Sequence, residues 1–106
     1  MFVHGAAIAL DAGVDPAAPG AVVTTALCGH WEHEPPCRWP HNSRLVAGSH
    51  LRTVFVCWPG DEATVRGRID TALRSAPDWS VLHSGPQQLE DSEQTLAANL
   101  AAGPHL

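Results

Sequence analysis

Lysine is absent from this 106-residue chain: all six basic residues are arginine, set against eleven Asp and Glu. The resulting net charge of −5 leaves no electrostatic footprint for a phosphate backbone or an anionic membrane surface, which argues against nucleic-acid and membrane partners. Long apolar runs are missing too, since the most apolar early stretch, Ala6 to Leu10, falls far short of the ~18 residues a membrane span needs. No Lys or Arg precedes Arg38, so the basic start of a secretory signal is lacking and a cytoplasmic location is expected. Cysteine is scarce. An odd count of three without an export signal argues for thiols or metal ligands over a disulfide scaffold.

The chain is too short for a second full domain but long enough for one core. Its 44% apolar residues fit a compact fold, although the 16% charged share is below the usual ~25%. Phe2, His4, Ala6, Ile8 and Leu10 alternate loosely, predicting an N-terminal strand or flexible segment within residues 1–20, followed by a turn-rich linker over Asp11–Gly20. A single domain is expected over residues 21–106. The β-branched run in Ala21–Cys28 predicts a strand, and Leu51–Trp58 a second one buried on both faces. Pro59-Gly60 ends it, Asp61 is placed to cap a helix, and Val65, Ile69, Leu73 and Ala76 recur at helical spacing up to Pro77. Glu62–Arg66 and Asp70–Arg74 are i,i+4 ion pairs on its solvent side. Trp79–His83 predicts a short strand, pairing in parallel with Leu51–Trp58 through a right-handed crossover. A last helix from Leu89 or Ser92 to Ala102 presents Leu89, Leu96 and Leu100 and stops at Gly103-Pro104. The expected architecture is α+β: a small mixed sheet of three or four strands with two helices on it and a metal-binding loop, residues 28–41, between two strands.

That loop carries the chemistry. Five of the chain's ten Cys and His fall in Cys28–His41, where an even scatter would put about one. Cys28, His30, His33, Cys37 and His41 supply sulfur and imidazole donors at spacings that suit a tetrahedral ion, for which zinc is the commonest candidate. Pro35, Pro36 and Pro40 stiffen the segment. A connection of about 20 residues between antiparallel strands also needs a staple, which a structural metal supplies. Two ligand sets are open: Cys28, His30, Cys37 and His41, or His30, His33, Cys37 and His41. Cys57 is expected to be a buried free thiol, and His50 a surface group near the site.

Known metal motifs do not fit. The DNA-binding finger needs about twelve residues between its Cys and His pairs and a basic helix, whereas six acidic, aromatic and proline-rich residues intervene here. In His33-Glu34-Pro-Pro-Cys37, prolines break the helix that an H-E-x-x-H site requires. The deaminase signature lacks its last Cys.

The expected function is therefore a small zinc-binding protein without catalytic activity. Trp31 and Trp39 either shield the metal or form an aromatic anchor for a protein partner or a second subunit. The alternatives are a zinc-dependent hydrolase or lyase with Glu32 or Glu34 as general base, and a metal-trafficking protein with surplus ligands.

Overall fold

The computed structural model describes residues 1–28 and 39–102. Its elements run β1 (Phe2–Leu10), α1 (Ala18–Cys28), β2 (His41–Val46), β3 (His50–Phe55), a one-turn 3-10 helix (Pro59–Asp61), α2 (Glu62–Ser75), β4 (Trp79–Gln87) and α3 (Asp91–Ala102). The four strands form one sheet in the order β2-β3-β1-β4, with every neighbouring pair antiparallel. In this α+β arrangement β3 lies between β1 and β2, the strands that α1 connects, and β1 lies between β3 and β4, the strands that α2 connects, which is the split βαβ topology of ferredoxin-like type.

The alternation in Phe2–Leu10 does make a strand, and it occupies the middle of the sheet. Its even-numbered side chains join Leu51 and Phe55 beneath α1 and α2, while Val3 turns to the other face with Val54. At Gly5 an added Cβ would meet the side chain of Gln87, which crosses the sheet there toward Arg52.

Ala21–Cys28 is not a strand but most of α1, and the turn-rich linker supplies that helix's first turn. The Asp15 carboxylate accepts from Ala17 N–H at 2.9 Å and its carbonyl from Ala18 N–H at 3.0 Å. Pro16 is preset for the helical φ, and Pro19 sits in a first turn that needs no N–H donor. Pro19, Val23 and Leu27 recur every fourth residue and bury together, so tertiary packing outweighs the β propensity of Val22-Val-Thr-Thr25. The expected pairing of Ala21–Cys28 with Leu51–Trp58 does not exist.

The partner of β3 on that side is β2, in a segment expected to be loop. Its hairpin turns through Ala47 (φ 54°) and Gly48 (φ 74°), both left-handed, with Ser49 N–H donating to Val46 C=O at 3.2 Å. The expected connection of about 20 residues between two strands is therefore replaced by the stretch 29–40 between α1 and β2, of which 29–38 lie outside the described residues. Strand β3 is buried on both faces as expected but stops at Phe55, leaving Trp58 82% exposed.

Helix α2 buries Val65, Ile69 and Leu73. Asp61 does not cap it: its backbone is already helical, no side-chain cap bond forms, and the Pro59–Asp61 turn leads in instead. Strand β4 runs on to Gln87 and pairs with β1, so β3 and β4 share a direction without touching, and the sheet has no parallel pair. A third helix follows. Leu89, Leu96, Ala97 and Leu100 pack α3 against Val3 and Val54, covering the sheet face opposite α1 and α2.

Candidate functional site

Two of the five expected ligands are described, and the fold brings them together. Cys28 is the last residue of α1 and His41 the first of β2, with Cys28 Sγ 3.9 Å from His41 Nδ1. His41 is 7% exposed; its Nδ1 lies 3.0 Å from Trp39 C=O and its Nε2 3.1 Å from Thr24 Oγ1. A carbonyl only accepts, so Nδ1–H donates to Trp39 and Nε2 accepts the Thr24 hydroxyl. A tetrahedral zinc with Zn–S ≈ 2.3 Å and Zn–N ≈ 2.05 Å has a sulfur–nitrogen edge of about 3.6 Å, close to the observed separation. Ligation through Nδ1 would replace the Trp39 bond, and Nε2–H would then donate to Thr24, the outer hydrogen bond that usually orients a metal-bound histidine.

Against the expectation of thiols, Cys28 is disulfide-bonded, and in that state it has no thiolate to offer. Its partner lies outside the described residues, as do His30, Trp31, Glu32, His33, Glu34 and Cys37. Trp39 belongs to the core at 4% exposure, with the Arg68 guanidinium 5.0 Å over its ring, so this indole is covered rather than presented. Among the described residues no three His, Cys, Asp or Glu gather around a common point.

The remaining candidates are dispersed. His41 pairs with Phe55, at the opposite end of β3 from His50, roughly 17 Å away along the strand. Cys57 is a free, half-buried thiol whose pKa is raised, first by burial and then by Asp61, which makes it a poor nucleophile and ligand.

Two polar clusters were not foreseen. In the first, Arg66 Nη1 donates to Val3 C=O at 2.7 Å and lies 3.3 Å from His4 Nδ1, while His4 Nε2 is 2.8 Å from Ser84 Oγ. Guanidinium only donates, so His4 Nδ1 is unprotonated, Nε2–H donates to Ser84, and Ser84 donates to Asp70. A serine that receives the histidine's proton is not activated by it, so the pair is no hydrolytic nucleophile. Burial, then the Arg66 charge, lowers the His4 pKa to about 4 despite Asp70. Arg66, expected on the solvent side with Glu62, is largely covered and also lies 5.2 Å from the Phe55 ring centre.

In the second cluster Arg52 grips Glu93 with two bonds, Nε to Oε2 at 2.8 Å and Nη2 to Oε1 at 2.7 Å. Arg44 adds a third at 3.2 Å, and Glu93 Oε1 accepts from Glu90 N–H at 2.9 Å, closing the start of α3. The hydrogen bond from Arg52 is the main reason that the Glu93 pKa falls to about 2. An arginine inside the apolar run Leu51–Phe55 was the readable sign that a buried carboxylate must face it.

Comparison with family models, curated proteins and solved structures finds no match. Among the described residues, no helix is long and apolar enough to cross a membrane.

Proposed function

We propose that this chain is a small zinc-binding protein without catalytic activity, its metal tying residues 28–41 between α1 and β2. The observation that carries the reading is the Cys28–His41 juxtaposition, whose 3.9 Å separation suits two ligands of one tetrahedral ion and joins both ends of the ligand-rich segment. Cys28 must be a thiolate to bind, so the zinc form belongs to the reduced chain and the disulfide is its exclusive alternative. The loop so fixed would meet a protein partner or a second subunit through Trp31, since Trp39 is committed to the core.

The test is metal analysis of protein purified under reducing conditions without chelators. About one zinc per chain is expected, falling sharply in Cys37→Ala and His41→Ala, which remove members of every ligand set considered. Retention of wild-type zinc in both variants would show that the metal sits elsewhere. A reduced chain that neither contains nor takes up zinc would leave the disulfide alone as the staple. Four protein ligands without bound water at the metal edge in X-ray absorption separate this reading from a hydrolase, in which one position is open.

A further inference from the structure

The sheet has two edges, and they are built differently. Ile8 N–H donates to Ser49 C=O at 2.8 Å, so the even residues of β1 exchange bonds with β3, and Val3, Gly5 and Ala7 turn to Gln87, Gly85 and His83 of β4. The outward positions of β4 then include Ser84 and Pro86, and Pro86 has no N–H to offer. Leu82 is an extra residue at a register shift, which twists that edge further. Proline and bulge are the usual devices that keep an edge from pairing.

Strand β2 has neither. Val56 N–H donates to Pro40 C=O at 2.9 Å, which sets the alternation so that Asn42, Arg44 and Val46 bond to β3 while Ser43 and Leu45 point N–H and C=O outward. Among the described residues no backbone group bonds to them. Beside this edge opens a cleft of about 400 Å³, bounded on the α1 side by Ala17, Gly20, Ala21 and Thr24. These short side chains leave the edge accessible.

We propose that β2 is the surface through which two copies of this chain pair, antiparallel about a two-fold axis at Ser43, joining two four-stranded sheets into one. A second copy is favoured because this edge can meet itself over its whole length in a register that opposes no like charges. Outward residues must meet outward residues. An axis at Arg44 would place that guanidinium directly against its own copy, which is unfavourable. An axis at Ser43 sets Ser43 against Ser43 and Leu45 against His41. Arg44 then faces Asn42 of the second copy in the closely spaced, non-hydrogen-bonded type of pair, where side chains couple most strongly.

That register makes a charge-specific prediction at Asn42, an exposed position. Sedimentation equilibrium from micromolar to millimolar concentration should show reversible dimerisation of the wild type. Asn42→Arg should weaken it about fivefold by facing two arginines with arginines, and Asn42→Glu should tighten it by a similar factor. Ser43→Pro, shown to be folded by circular dichroism, should abolish it. A wild type that stays monomeric throughout, whether or not it adds an extended peptide instead, overturns the proposal. So does a dimer whose affinity neither charge at position 42 alters.

Discussion

Arg52 sits in the middle of a strand covered on both faces, and its neutralisation decides where α3 docks. Glu93 satisfies the guanidinium, its own carboxylate and the first turn of its helix at once, with only 1% of its surface exposed. Removing Glu93 leaves Arg52 charged and buried with only the half-exposed Glu90, Gln87 and the Gln88 carbonyl to meet it, so Glu93→Ala should cost about 3 kcal/mol in urea unfolding at neutral pH. Replacing both, as Arg52→Met with Glu93→Leu, should recover most of that loss, because apolar groups of similar size avoid the desolvation penalty. A double variant no more stable than Glu93→Ala would mean that Arg44 and Glu90, the other charges near the pair, carry the docking instead.

At the scale of elements, α1 shows where local reading stops. Its four β-branched residues favour a strand, and Thr25 fits the helix by returning its hydroxyl to Ala21 C=O at 3.1 Å. Asp15→Ala should therefore cost about 1 kcal/mol by uncapping the turn that starts the helix. Ala47→Gly should stabilise the β2–β3 hairpin by about 1 kcal/mol, since a left-handed φ strains alanine and not glycine. Chemical denaturation of each variant checks both signs. The helix α2 and the apolar side of α3 were legible from their helical spacing, β3 from its apolar run, and β1 only from a loose alternation. The Asp15-Pro16 start and the Pro19, Val23, Leu27 spacing were present but hidden in a stretch that reads as linker. Strand β2 alternates polar residues on both faces, so no hydrophobic pattern marks it. At the site, the density of Cys and His singled out Cys28 and His41, but spacing carries no information on whether a sulfur is thiolate or disulfide. His4 was passed over because its partners Arg66 and Ser84 are distant in sequence and meet it only after β1 has been inserted into the sheet.

At the scale of the whole molecule, these two clusters lie on opposite faces of one sheet and both make the fold sensitive to acid. For His4 the folded pKa, about 4, is below the ordinary 6.5, so the unfolded chain binds the proton more readily between these values. Its contribution is complete above pH 6.5 and is lost as pH falls toward 4. For Glu93 the folded pKa, about 2, lies below the ordinary 4.5, so its contribution is present above pH 4.5 and disappears as pH falls toward 2. The windows adjoin, and stability should decline continuously from near neutrality rather than break at one pH. Between pH 7 and pH 5 the His4 share of the decline is about 2 kcal/mol. His4→Leu keeps the side chain's approximate volume, and it leaves Ser84 bonded to Asp70 and Arg66 bonded to Val3 C=O and Glu62. That variant should lose the dependence in the upper window and keep it in the lower one, read as urea midpoints at successive pH values. An unchanged slope between pH 6.5 and pH 4 would assign the loss to other groups, and His4 would then be protonated in the folded chain in spite of Arg66.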